Sequence, residues 1–336
     1  MRWLRTLTIA LVVALGSVAY FYLGTYQAPA VDPAWQIAPS SVIPPGSVTV
    51  RWTGTATLVF SDGETTWMTD GWFSRPGLLA LLMGRIEPDV EAIERGLARN
   101  AVTDLAAVFP VHSHYDHAMD APEVARRTGA LLLGSEATAN IGRGWGLDES
   151  QIRAVEDREP ISLGRFTLTP IESRHFQFPD PWVREQVLSD PEITTPLVPP
   201  VPVFDYKLGK AYALHVSHPR GSWLIQGSAG YIEGGLEGFE ADVVFLGVGG
   251  LGSQSRAYRE SYWRETVDRT GPSRVIPIHW DSLIGPAEGP FTGEVRAARF
   301  LSEGTQHTLE FLRAKESASP DLRFQTLPRF GAVVLF

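Results

Sequence analysis

Val111-His112-Ser113-His114-Tyr115-Asp116-His117 follows directly on the apolar run Leu105-Ala-Ala-Val-Phe-Pro and places four metal-ligand side chains within six residues. An apolar run that gives way to polar residues, and then to the helix-compatible stretch Ala121 to Arg127, reads as a buried strand ending at a loop and helix start. Such a loop aims its side chains into one pocket. His112 and His114 alternate, so an extended backbone points them the same way. Asp116 and His117 follow closely enough to line the same pocket or a second position beside it. Imidazole and carboxylate donors suit zinc or another borderline divalent ion, and a catalytic site leaves a coordination position open for water. With 8 histidines in 336 residues, the pattern His-x-His-x-Asp-His arises by chance in roughly one chain in several thousand, so it is a specific signal.

His112-Ser113-His114-Tyr115-Asp116-His117 resembles the signature of the metallo-β-lactamase-fold hydrolases. Upstream, Trp52-Thr53-Gly54-Thr55-Ala56-Thr57 and Thr69-Asp70-Gly71-Trp72-Phe73 resemble the opening strands of one branch, which holds the sugar-phosphate lactonases and the N-acylphosphatidylethanolamine phospholipase D-like enzymes. Downstream, Pro277-Ile278-His279-Trp280-Asp281 is similar to that branch's last ligand segment, so the likeness runs from about Ser47 to about Ile284. It implies an α/β fold, a four-layer αββα sandwich of two mixed sheets with helices outside and the metal at the edge where strand ends meet. His175 and His279 each follow a strand-like run, Ile161 to Ile171 and Arg274 to Ile278, as His112 does. The resemblance makes His112, His114 and His175 one metal position and Asp116, His117 and His279 a second. It also makes Asp70, at the end of Thr65 to Thr69, a group that orients a ligand from behind.

One departure matters. Where many relatives carry Gly-Asp after a strand, this chain has Gly227-Ser228 following Ser222 to Gln226. That acid normally bridges two metals, and a neutral hydroxyl is a poor ligand. The expectation is therefore one tightly held zinc with a second ion labile or absent; manganese or iron would also suit the donors. Asp116 is expected to orient or deprotonate the attacking water, and Tyr231 or Ser228 to hydrogen-bond the developing oxyanion. His215 and His218, three residues apart on a strand, face opposite sides and read as packing or surface groups.

Around these segments the pattern is that of an α/β body. Val48 to Trp52, Ala56 to Phe60 and Thr65 to Thr69 form a meander, and Pro88 to Asn100 has helical spacing. Ala130 to Leu133, Asp242 to Phe245 and Ala332 to Phe336 read as strands, and Tyr258 to Val267 and Ser302 to Lys315 as helices, the last carrying a solvent-facing His307. The glycines of Leu246 to Gly252 match neither the dinucleotide fingerprint nor the P-loop, so they indicate close backbone packing. Phe176 to Asp205 carries seven prolines between Pro179 and Pro202, too stiff for a helix and too proline-rich for a central strand; a pocket wall that selects an apolar group is the expectation.

The N-terminus is a separate unit. After Arg2 and Arg5 no charged residue appears until Asp32. Residues 1–31 read as a membrane anchor or a cleaved signal, with cut sites conceivable after Ala19 and Ala30. Residues 32–46 read as a linker and 47–336 as the hydrolase domain. Arg2 and Arg5 favour a cytoplasmic N-terminus, which puts the body outside the cytoplasm, in the periplasm if the source is bacterial. The net charge of -9, with no basic cluster past the N-terminus, excludes a nucleic-acid footprint. Cysteine is absent, so disulfides and thiolate ligands are excluded. The function implied is metal-assisted hydrolysis of a lactone or other small-molecule or lipid-like ester. Phosphodiester hydrolysis near the membrane is the alternative, and a non-catalytic, membrane-tethered metal-binding protein is a third. The sequence leaves the oligomeric state open.

Overall fold

The computed structural model describes residues 2–189, 191–297 and 304–336. Its first half opens with the antiparallel meander β1 (Thr49–Gly54), β2 (Thr57–Ser61) and β3 (Thr66–Thr69). β4 (Ala107–Phe109), β5 (Leu131–Gly134) and β6 (Ile152–Ala154) then join in parallel. The second half repeats the scheme. β7 (Ile161–Leu163), β8 (Phe166–Ser173), β9 (Ala211–His218) and β10 (Gly221–Gln226) pair antiparallel. β11 (Val243–Gly247), β12 (Arg274–Ile278) and β13 (Arg323–Phe324) follow in parallel. β14 (Val333–Val334) returns to pair with β1, so the strand orders are β14-β1-β2-β3-β4-β5-β6 and β13-β12-β11-β10-β9-β8-β7.

The helices are α1 (Arg2–Leu23), α2 (Leu78–Met83), α3 (Val90–Arg99), α4 (Tyr115–Ala118), α5 (Ala121–Thr128), α6 (Glu136–Trp145), α7 (Pro181–Leu188), α8 (Arg256–Trp263) and α9 (Thr305–Ala318). One apolar cluster fills the space between the sheets, and two others lie outside them. Outside the first sheet, Ile93 and Leu97 of α3 and Val124 of α5 pack on Met68 and Val108; outside the second, Tyr262 and Trp263 of α8 and Leu312 of α9 pack on Val244 and Val275. The expected four-layer αββα sandwich is the observed one. Strands with both faces covered are apolar throughout, as parallel sheets demand: Ala-Val-Phe in β4 and Val-Val-Phe-Leu-Gly in β11 are buried at every residue.

Several segments differ from expectation. α3 begins at Val90, because Asp89 accepts a hydrogen bond from Ala92 N at 3.0 Å and caps it, leaving Pro88 outside. The tract 176–205 contains a helix after all. Its prolines cluster at the two ends, Pro181 takes the first helical turn where a missing N–H costs nothing, and Asp180 caps Val183 N at 2.9 Å. α8 continues into a π-helical turn, Arg264–Asp268. α9 starts at Thr305 with His307 exposed; its expected start at Ser302 lies outside the described residues. The stretch 32–46 lies against the body: Trp35 is buried, packs on Phe324 with ring centroids 5.0 Å apart and donates Nε1–H to Glu316 at 2.8 Å.

The inter-sheet core is aromatic at its centre. Phe60, fully buried, has ring centroids of Trp67, Trp223 and Phe245 at 4.8, 5.1 and 5.4 Å. These rings come from both sheets, so Phe60 joins the halves. Phe60→Ala should lower unfolding stability by about 3–5 kcal/mol, read from the urea midpoint at unchanged slope, because rings on all sides block collapse into the cavity. A loss below about 1 kcal/mol would show that the halves are joined elsewhere.

Candidate metal centre

The expected ligands all leave the C-terminal ends of strands. β4 stops at Phe109, and Pro110 and Val111 lead to His112, Ser113 and an extended His114, which precedes α4 with Asp116 and His117 on its single turn. β8 ends two residues before His175, and β12 ends immediately before His279. Asp70 follows β3. Asp70 and His279 both take left-handed backbone, at φ 56° and 58°, a conformation that non-glycine residues hold only where the surroundings fix it. Asp70 N donates to Phe109 O, and its carboxylate accepts from Val111 N at 3.0 Å and from His117 Nδ1 at 2.7 Å. His279 N donates to Thr55 O at 2.8 Å. Gly249 lies so close that a Cβ there would come within 2.7 Å of His279 Nδ1, which supports the close-packing reading of that glycine run.

Two triads result. In the first, His112 Nε2 lies 3.0 Å from His114 Nδ1, and the His175 ring stands 5.1 and 4.9 Å from theirs, centroid to centroid. His175 Nδ1 is 2.9 Å from Phe176 O, which turns Nε2 toward the other two. In the second, His117 Nε2 and His279 Nε2 are 3.2 Å apart, and Asp116 Oδ2 is 3.4 and 3.3 Å from them. Donors on a tetrahedral ion at about 2.0–2.1 Å stand roughly 3.3 Å from one another, so this near-equilateral triangle has the size of one face of such a site. Within each triad the donor atoms all lie within 4.8 Å of one another. The rings of His112 and His117, 3.9 Å apart, form the wall between them.

Electrostatics suits cation binding. Burial, followed by the neighbouring imidazoles, holds His112 and His175 well below the usual histidine range. Burial lowers His114 to about 4 against the opposing pull of Asp116. These rings stay neutral, the form that ligates a metal. Burial would raise Asp116, but His117 and His279 hold it below the ordinary carboxylate range. Burial would lower His117, yet Asp70 and Asp116 outweigh it and raise the ring. Removing Asp70's hydrogen bond leaves His117 without its orienting partner. The donor set is thus chemically fit for a borderline divalent ion in each triad.

Tyr231 does not join this geometry. Gln226 Nε2 donates to Ser228 O at 3.1 Å and to Gly230 O at 2.8 Å, which curls the loop back on itself. Tyr231 is carried against Tyr258 and Tyr262, at 5.3 and 6.4 Å between centroids, and lies outside the cavity that the triads face. The oxyanion role expected of Tyr231 therefore has no support in its position. Ser228 is buried, and its hydroxyl meets no hydrogen-bond partner among the described residues. His218 packs on Asp62 at 3.3 Å and His215 on Glu240 O at 2.8 Å, away from the centre.

A cavity of about 290 Å³ opens over the triads, with His114, Asp116, His175 and His279 in its floor. Its walls are largely apolar. Phe178, Trp182 and Phe204 come from the proline-rich tract, and Leu78, Leu81 and Leu82 from α2. The α2 wall went unread in the sequence, although its signal was there: Leu78-Leu-Ala-Leu-Leu-Met83 is an unbroken apolar run between Gly77 and Gly84, too short for a core helix and too greasy for an ordinary loop.

Protons compete for the three neutral histidines. Unfolded, they titrate near 6.5; folded, His114 does so only near 4, and the other two are held well below the usual range. Their contribution to stability is complete above the unfolded value and is lost as pH falls toward 4, because the unfolded chain takes up protons first. His117, being raised, acts in the opposite sense and weakens the effect without reversing it. The melting temperature of the chelator-treated chain should fall as pH drops from about 6.5 to about 4, less steeply in His114→Gln. A melting temperature independent of pH across that window would mean the rings are not held neutral.

No family model matches the sequence, and no curated protein matches it. Solved structures do. Igni18, a metallo hydrolase from Ignicoccus hospitalis KIN4/I, matches 85% of this chain and 97% of its own at TM-score 0.50 and 15% identity. A protein of Veillonella parvula DSM 2008, described as "a possible metal-dependent hydrolase", matches 86% of this chain and 99% of its own at TM-score 0.50 and 13% identity. Identity this low speaks to the fold. With two seven-stranded mixed sheets packed face to face, helices outside and the ligand-bearing strand ends on one edge, this chain has the metallo-β-lactamase fold.

Proposed function

We propose that the chain is a metal-dependent hydrolase of neutral esters, lactones among them, that carry an apolar group. The observation that carries this reading is the cavity, in which His114, His175, Asp116 and His279 of the two triads form the floor of a largely apolar chamber. His112, His114 and His175 would hold a divalent ion, zinc in the first instance and manganese or iron as substitutes, which would supply Lewis acidity and acidify a bound water. Asp116 stays ionised and faces the cavity, so its carboxylate accepts a hydrogen bond from the attacking water and draws off its proton. Asp70 holds His117 in one tautomer and one orientation. The apolar walls exclude bulk water and hold the acyl or ring portion of the substrate.

Phosphodiester hydrolysis is the second reading, favoured by the completeness of the second triad, since two-metal sites clamp both oxygens of a displacement. The cavity weighs against it. Among the described residues no lysine or arginine lines the chamber, whereas Asp116, Asp281 and Glu294 do, Asp281 paired with Arg75 at 3.5 Å behind the wall; an anionic diester would meet these carboxylates with no basic side chain in the lining to receive it. α1 either keeps the body at the outer face of a membrane or is removed as a signal.

Three measurements test this reading. Protein loaded with zinc, manganese or iron should hydrolyse acyl lactones and neutral aryl esters in preference to bis-aryl phosphates, and His114→Ala should abolish turnover. Faster hydrolysis of the phosphodiester, or none of either, would overturn the proposal. Metal titration should resolve one tight and one weak site, the weak one tightening in Ser228→Asp, because a carboxylate restores negative charge between two dications. Two equally tight sites in the wild type would sink the altered-bridge idea. Asp70→Ala should weaken the second ion by about 10–100-fold and spare the first; equal weakening of both would place Asp70's influence on the loop as a whole.

A further inference from the structure

The rim of the cavity carries apolar side chains that the fold leaves uncovered. Leu79, Leu82 and Met83 of α2 are 70%, 59% and 81% exposed, and Trp182 at the start of α7 is 63% exposed. Leu82 and Trp182 also line the chamber, so the outer patch is continuous with the apolar interior. An exposed patch of this kind at the mouth of an apolar cavity marks a surface with a partner.

The chain's own N-terminal segment identifies the partner. Arg5–Leu23 within α1 is 19 residues long with none of it buried by the body, and at 1.5 Å per residue it spans about 28 Å, close to the hydrocarbon thickness of a bilayer. Tyr20, Phe21 and Tyr22 crowd its C-terminal end, where aromatic rings favour the membrane interface. Arg296 of the body lies 4.7 Å over the Phe21 ring and donates to Thr25 Oγ1 at 3.1 Å. The tether beyond is short and fixed. Arg296 N donates to Thr25 O, Gln27 N to Glu294 O and Gly293 N to Gln27 O, and Gly293, Glu294 and Ala30 are themselves cavity wall. Gln27 lies four residues beyond Leu23, at most about 14 Å of extended chain. The exposed Arg85 and Arg184, beside the two apolar rims, supply cations of the kind that meet lipid phosphates.

We propose that α2 and the first turn of α7 dock into the headgroup boundary of a phospholipid bilayer, so that the cavity opens onto the membrane and receives an apolar substrate from it. The docking stands without the hydrolase reading; only the delivery of substrate rests on it.

Because the chain has no cysteine, single substitutions Leu79→Cys, Met83→Cys and Trp182→Cys can each be labelled with an environment-sensitive fluorophore in the full-length protein. The probe surface is vesicles of phosphatidylcholine and phosphatidylglycerol doped with lipid bearing a nitroxide on its acyl chain. The control is Glu64→Cys, in the turn beside Arg165, which lies before β8, at the end opposite His175, roughly 26 Å away at about 3.3 Å per strand residue. The expected result is a blue shift and loss of fluorescence at positions 79, 83 and 182 and neither at 64. Equal behaviour at all four positions overturns the proposal. Disulfide cross-linking between copies of the unlabelled Leu79→Cys variant, without nitroxide quenching of its labelled form, also overturns it, in favour of a second copy of this chain as the covering partner. Turnover enters none of these readings, so failure here and failure of the hydrolase reading are separable.

Discussion

The buried carboxylate of Asp70 ties this site together. It sits at the end of β3 in left-handed backbone, and its two oxygens accept from Val111 N and His117 Nδ1. A fully buried carboxylate is costly to desolvate unless its lone pairs are used. Here both oxygens are used on the loop that carries His112, His114, Asp116 and His117. One bond fixes where the loop leaves β4. The other fixes the ring on α4's turn. With both ends pinned, His112 and His114 have little freedom but to converge on His175, while Asp116 and His117 meet His279 from the opposite sheet. The aromatic core around Phe60 then sets how far apart the two sheets hold these contributions.

The parallel register explains why the donors gather at one edge. In a sheet whose strands run the same way, all C-terminal ends finish on one side, and Thr69 pairs with Phe109 while Gly247 pairs with Ile278. Residues that follow shortly after these pairs are therefore neighbours in space despite wide separations in the chain. Two of the non-glycine residues held in left-handed backbone, Asp70 and His279, lie at this edge, as positions over-determined by their surroundings allow.

This is also why the fold and the donors were legible in the sequence while the chamber above them was not. Buried strands such as Ala107–Phe109 and Val243–Gly247 are written as short apolar runs with polar residues at their ends, and a histidine in that end position carries a clear meaning. His112, His114, Asp116, His117, His175 and His279 all fall there. Tyr231 follows β10 in the same manner, but Gln226 bonds to two carbonyls of its loop and turns Tyr231 aside; nothing in the local pattern distinguishes that glutamine from any other strand residue. The helix inside the proline-rich tract is hidden to a count of prolines that ignores their positions. Proline at the first turn is compatible with a helix, and only interior proline breaks one. α2 is hidden for the opposite reason: of its unbroken apolar run only Leu81 is buried, so no core periodicity marks it.

The chamber and the N-terminal tether share a residue, and that joins two features that otherwise look independent. Glu294 is buried, and burial raises its carboxyl above the usual range. Its side chain accepts from Ser282 Oγ and Leu283 N, in the segment that follows His279, while its backbone carbonyl accepts from Gln27 N. Gly293 and Arg296 complete that strand-like contact with residues 25–27. The wall beside His279 is therefore held on one side by the β12 loop and on the other by the chain leaving α1. A body cut free of residues 25–27 would leave Glu294 O and two backbone N–H groups without these partners, and each must find water or another acceptor. Residues 25–27 thus act as part of the cavity's framework.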